Sequence, residues 1–188
     1  MYHLLGISGS LRAGSTNTKL IHAAKAAFDP AEFTMGSIDL PLYNGDVEEA
    51  EGIPASVQTL ADQIAAADAV IISTPEYNKL MSGALKNALD WVSRTKGGPW
   101  KGKPVAVMSA AAGRAGGERG QWTLRLALNP FQPRVIPGPE FHLAASSKEF
   151  DDDGHLTSEL YQKTLAELMD ALKAEVQARA DTAKSAGM

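Results

Sequence analysis

The chain has 188 residues, of which 44% are hydrophobic and 21% charged, and a formal net charge of -4. That length suits one compact domain with a real core, and the composition is ordinary for a folded globular protein. The acidic balance argues against a nucleic-acid partner, which calls for a basic stripe, and the lack of cysteine removes disulfides, zinc–thiolate sites and dithiol redox chemistry.

Any redox chemistry must then come from a bound cofactor. The start Met1-Tyr2-His3-Leu4-Leu5-Gly6 has neither a basic region nor a long apolar stretch. No run approaches the roughly 18 apolar residues of a membrane span, so a cytoplasmic protein without a membrane partner is expected.

Leu4 to Ser8 is a short apolar run stopped by Gly9-Ser10, which reads as a buried strand. Asn17 to Phe28 follows as a helix, and Phe33 to Ile38 as a weaker second strand. Val57, Leu60, Ala61 and Ile64 have the spacing of one helix face, ahead of a third strand at Ala69–Thr74. Leu85, Ala88, Leu89 and Val92 repeat that spacing on a helix from Ser82, and Val105–Ser109 reads as the fourth strand. Arg134–Ile136 and Phe141–Leu143 supply the fifth. The last helix carries Leu165, Leu168, Met169, Leu172 and Val176 and is expected to be entered through Asp151-Asp152-Asp153-Gly154, with a frayed tail over residues 179–188.

The central runs are apolar at every position, as in strands of a parallel sheet covered on both faces. Strands alternating with helices predict an α/β fold, a three-layer α/β/α sandwich formed by residues 1–178 as a single domain, with ligands beyond the carboxyl ends of the strands. Three loops there can carry chemistry.

The first is Gly9-Ser10-Leu11-Arg12-Ala13-Gly14-Ser15-Thr16-Asn17. Glycine, hydroxyls, main-chain N–H groups and a helix N-terminus together make a metal-free phosphate seat, to which Arg12 adds charge-assisted hydrogen bonds. The P-loop lysine and the G-x-G-x-x-G spacing are both missing. Taken singly, Ser15 or Asn17 can equally be a plain helix cap. The second loop is Thr74-Pro75-Glu76-Tyr77-Asn78, where Pro75 ends the strand and fixes a turn. The third is Ser109 to Gly117, rich in small residues.

The pattern G-S-x-R-x-x-S-x-N, with Pro75-Glu76-Tyr77-Asn78 and Ser82 to Trp91, resembles the NADPH-dependent FMN reductases, which include chromate, quinone and some azo reductases. The resemblance implies a flavodoxin-like fold with a five-stranded parallel sheet in the order 2-1-3-4-5. It implies FMN as cofactor, with NADPH or NADH as electron donor and a quinone, chromate, azo dye or free flavin as acceptor, by sequential use of one pocket. The flavin performs the chemistry, so no catalytic side chain is required. Cofactor contacts are expected at Ser10, Arg12, Ser15, Thr16 and Asn17 for the phosphate. Main-chain groups of Pro75, Glu76, Tyr77 and Asn78 are expected along the isoalloxazine ring. Ser109 and Gly113 of the third loop are also expected to contact the cofactor, although Ala110-Ala111-Ala112 there departs from the usual Ser-x-Gly. The family assembles as homodimers or homotetramers, and Trp91 suits either such an interface or intramolecular packing.

Arg114 can meet the donor's phosphates or lie in solvent, and Leu40 to Asp46 can border the site mouth or form a plain turn with a packed tyrosine. His3, His22, His142 and His155 show no metal-ligand spacing, so no metal is expected. Two rival readings are a flavodoxin-type electron carrier and a non-catalytic protein that binds a phosphorylated ligand.

Overall fold

The computed structural model describes residues 2–186. One sheet of parallel strands runs in the order β2-β1-β3-β4-β5, formed by β1 (His3–Ser8), β2 (Glu32–Gly36), β3 (Ala69–Thr74), β4 (Pro104–Ala110) and β5 (Arg134–Val135). A further short strand, β6 (Phe141–Leu143), continues the edge beside β4, so the expected fifth strand is two pieces, Arg134 and Val135 on Pro104 and Val105, and Phe141 to Leu143 on Met108 to Ala110. β3 and β4 are buried at every residue. Their all-apolar runs are thereby explained.

Side chains alternate across the sheet. Leu4, Ile71 and Met108 enter one core with Leu20, Ile21 and Phe28 of α1 (Thr16–Phe28) and Leu165, Leu168 and Leu172 of α6 (Glu159–Ala186). Leu5, Val70, Ile72 and Val107 enter the other with α3 (Ala55–Ala66), α4 (Gly83–Ser93) and α5 (Glu118–Leu128). A strand's period of two and a helix's stripe of three to four thus meet on each face, with each fully buried aliphatic contributing about 1.5–3 kcal/mol. The class read from the sequence, a flavodoxin-like three-layer sandwich in the order 2-1-3-4-5, is the observed one.

Two local readings are corrected. α6 does not begin at Asp151–Gly154: there Asp151 turns the chain, its Oδ1 accepting from His155 N at 2.7 Å, and Gly154 lies at φ 86°, outside the helical region. The helix starts at Glu159, and Ser158 O accepts from Gln162 N at 2.9 Å. Nor does the chain unravel at Arg179, because α6 continues to Ala186 and Arg179 Nη1 donates to Gly102 O at 2.6 Å; Gly187 and Met188 lie outside the described residues. Residues 45–51 add a short helix, α2 (Gly45–Glu51), capped by Asn44 Oδ1 on Asp46 N at 3.0 Å.

Trp91 is fully buried, its indole N–H donates to Pro41 O at 2.7 Å, and Tyr43 packs edge-on against it. Intramolecular packing therefore accounts for Trp91, and the 40–46 loop is docked on α4. Among the described residues no helix is long and apolar enough to cross a membrane.

Candidate active site

The carboxyl ends of β1, β3, β4 and β6 converge on a cavity of about 340 Å³ lined by Ser10, Arg12, Gly14–Asn17, Pro75–Tyr77, Ala110–Ala112, Ser146 and Ser147. It lies at the switch point between β1 and β3, where a doubly wound sheet binds ligands. A larger hollow of about 640 Å³ runs along α1 and the 152–156 turn. Its lining of α1 alanines, lysines and surface aspartates is away from the strand ends, so size does not mark the site here.

The β1–α1 loop leaves donors unused. Ser15 caps α1, its Oγ accepting from Asn17 N at 3.2 Å. The N–H groups of Gly14 and Thr16 have no acceptor among the described residues, and neither does the Arg12 guanidinium. The same holds for the N–H groups of Glu76, Ala112 and Ser147, which also line the cavity. Main-chain donors around a helix N-terminus form an anion cradle without metal. No cluster of His, Asp and Glu suited to a metal occurs among the described residues.

The β3–α4 loop is tied instead. Tyr77 and Leu80 exchange both main-chain hydrogen bonds, at 2.9 and 3.1 Å, across a tight turn whose central residues Asn78 (φ 51°) and Lys79 (φ 70°) are left-handed. Ser82 caps α4 and donates to Gly9 O at 2.5 Å. Met81 N donates to Thr123 Oγ1 of α5 at 2.9 Å. Tyr77 is half exposed and, with Ser10 and Arg12, borders both the cavity and a second hollow of about 310 Å³ lined by Gly9–Arg12, Tyr77 and Ser82–Ala84.

Of the residues singled out in the sequence, Ser10, Arg12, Ser15, Thr16, Asn17, Pro75, Glu76 and Tyr77 line one cavity, while Asn78, Ser109 and Gly113 do not. Several are committed to protein partners. Asn17 is buried, with its Oδ1 accepting from Ser73 Oγ at 2.8 Å and Ala110 N at 3.1 Å and its Nδ2 donating to Ala110 O at 3.0 Å. It ties the first turn of α1 to the ends of the third and fourth strands. Ser109 donates to Gly116 O at 2.6 Å and accepts from Gln121 Nε2 at 3.0 Å, so its hydroxyl points into the protein. The Tyr77 N–H is spent on Leu80, while those of Glu76 and Asn78 are among the main-chain donors of that loop with no acceptor among the described residues. Arg114 is exposed and lies outside the cavity.

Ser146 and Ser147 were missed by sequence reasoning. Ser146 Oγ lies 3.0 Å from Thr16 Oγ1 and walls the cavity beside α1. The signal was available, because small residues after Leu143 follow the carboxyl end of a strand, where sites of this fold gather. Because the strand pieces were short, that end was hard to place.

A switch-point cavity lined by a glycine- and hydroxyl-rich β1–α1 loop with free main-chain donors and by a tight turn bearing an aromatic ring marks a flavodoxin-like protein with a pocket suited to an anionic ligand. The particular family follows from comparison: residues 2–148 match the family described as NADPH-dependent FMN reductase, and the chain belongs to it. It is therefore an oxidoreductase of the flavin-linked kind. It is 40% identical over 172 residues to an NAD(P)H-dependent FMN reductase of Pseudomonas aeruginosa, covering 90% of this chain and 92% of that one. It is 43% identical over 137 residues to a quinone reductase of Escherichia coli, covering 71% and 72% respectively. Among solved structures it is similar to FerB, a flavoenzyme NAD(P)H:(acceptor) oxidoreductase from Paracoccus denitrificans, with 34% identity and a TM-score of 0.85 over 95% of this chain and 98% of that one.

Proposed function

We propose that residues 2–178 act as one FMN-binding unit that takes hydride from NADPH or NADH and passes electrons to a quinone. The reading rests on one observation above others, the set of unpaired main-chain donors on Gly14, Thr16, Glu76, Ala112 and Ser147 around a single cavity. Gly14, Thr16 and Arg12, with the hydroxyls of Ser10 and Ser15, hold the phosphate. The N–H groups of Glu76 and Asn78 meet the polar edge of the ring, and Tyr77 covers its flat face. When bound, FMN supplies the hydride-accepting and electron-donating chemistry.

The open hollow on the other side of Tyr77 leaves room for donor and acceptor in turn, which makes the kinetics ping-pong. Chromate, azo dyes and free flavin are further acceptors on this reading. Exposed Leu11, Leu80, Trp122 and Leu126 support a homodimer or homotetramer. A cysteine-free redox enzyme of this kind suits the cytoplasm.

The test is the visible spectrum of the purified protein under anaerobic addition of NADPH. Bleaching of the flavin bands, reversed by a benzoquinone, is the expected result. A yellow protein that NADPH leaves unbleached would mark an electron carrier, and a colourless one indifferent to FMN would mark a binder of some other phosphate. Parallel initial-rate lines check the ping-pong order.

A further inference from the structure

α5 begins without a cap of its own. Its first residue follows Gly117, which sits at φ 89° and offers no side chain. The missing acceptor comes from outside the helix: Glu76 Oε2 accepts from Arg119 N at 3.0 Å and Gly120 N at 3.3 Å, and Glu76 Oε1 lies 3.8 Å from Arg119 Nη1. An anion at a helix N-terminus satisfies open N–H groups and opposes the positive end of the dipole. Here that anion is contributed by the loop that borders the candidate cofactor cavity.

The contact is close by construction. A Cβ on Gly120 would stand 3.0 Å from Pro75 O, so the first turn of α5 lies directly against the Pro75–Glu76 main chain. Farther along, Thr123 holds Met81. The loop from Pro75 to Met81 is thus braced on α5 at both ends, and the Glu76 side chain is mostly buried in that contact.

We propose that Glu76 is a positioning residue that acts through α5: its carboxylate holds the Pro75–Asn78 main chain against the flavin ring, shields the ring from the positive end of the helix and thereby keeps the flavin's reduction potential low. This rests on the reading that FMN occupies the cavity. Reduction adds negative charge to the polar edge of the flavin. A fixed carboxylate nearby disfavours that charge, and an unshielded helix N-terminus favours it, so removing Glu76 changes both in one direction.

The experiment compares wild type, Glu76→Gln and Glu76→Ala for FMN affinity by fluorescence titration of the apoprotein, for midpoint potential by dye equilibration, and for melting temperature without FMN. Glu76→Gln keeps an acceptor of the same shape and loses the charge. Its expected behaviour is a positive shift in potential, FMN affinity within about threefold of wild type, and little change in melting. Glu76→Ala also loses the cap, and melting is expected to fall by about 2–4 °C along with a weaker hold on FMN. A potential in Glu76→Gln equal to that of wild type overturns the proposal, even if both variants melt early, because a purely structural cap would do only that. Failure of Glu76→Ala to fold leaves the Glu76→Gln comparison decisive. A wild-type apoprotein that does not take up FMN overturns this proposal and the functional reading together, whereas an unshifted Glu76→Gln with FMN bound overturns this one alone.

Discussion

The two loops that frame the cavity are held differently. The β1–α1 loop leaves the Gly14 and Thr16 N–H groups and the Arg12 guanidinium without partners among the described residues, while the side chains and main chain of the β3–α4 loop are fixed to Leu80, to Thr123, to Gly9 and to the N-terminus of α5. On the proposed reading, the difference follows from what each holds. A phosphate makes strong charge-assisted hydrogen bonds and repays open donors. A planar ring offers a few weak polar contacts, so its seat is useful only if it is already rigid.

Removing the tie between the loops and the sheet should have the largest effect. Asn17→Ala leaves Ser73 Oγ and both main-chain groups of Ala110, all in buried residues, without their Asn17 partner. A loss of about 3 kcal/mol is expected from unsatisfied buried groups, read by urea unfolding. A stable variant that merely lost FMN would mean that Asn17 serves the ligand rather than the frame.

Next comes the point where the two loops touch. A Cβ on Gly9 would stand 2.9 Å from Pro75 Cδ and 3.2 Å from Thr74 Cα, against main chain that cannot yield cheaply. Gly9→Ala should cost about 2 kcal/mol by overpacking and reduce FMN retention as the loops are pried apart. Melting with and without FMN separates the two effects, and unaltered values for both would show that the loops do not depend on this approach.

Arg12→Ala is the sharper test of the free-donor plan. The fold should be untouched, since Arg12 is exposed, while FMN binds about 10- to 100-fold more weakly through loss of a charged hydrogen bond of roughly 1.5–3 kcal/mol. Riboflavin, which lacks the phosphate, should bind both proteins alike. An equal loss for both ligands would move Arg12 away from the phosphate.

The smallest effect concerns the rigid turn. Lys79 is held at φ 70°, where a side chain is disfavoured. Lys79→Gly should raise stability by about 0.5–1 kcal/mol, the scale of glycine's advantage at such positions offset by its greater freedom when unfolded. Destabilisation measured by thermal melting would mean that the Lys79 side chain makes contacts that outweigh the strain.

Much of this architecture could be read along the chain. Ala69–Ile72 and Val105–Met108 are apolar at every position because both faces of a parallel strand are covered. The helix stripes at Leu60, Ala61 and Ile64 and at Leu85, Leu89 and Val92 had to face a sheet for the same reason. Short-range patterns were less secure: Asp151–Gly154 carries acidic helix-start chemistry and yet forms a turn, because Gly154 occupies a left-handed position that no local motif announces.

The order of residue types along the chain is enough to mark candidate ligand contacts, since hydroxyls, glycines and Arg12 ahead of a helix suit an anion. Which of those groups stay available is settled by how the chain folds. Asn17, Ser109 and Glu76 look as suited to a cofactor as Thr16 or Arg12, but Ser73, Gly116 and the first turn of α5 reach them first. Hydrogen-bonding capacity belongs to the residue. Its use is settled by the nearest partner in space, here about 40 to 60 residues away along the chain for Glu76 and Asn17.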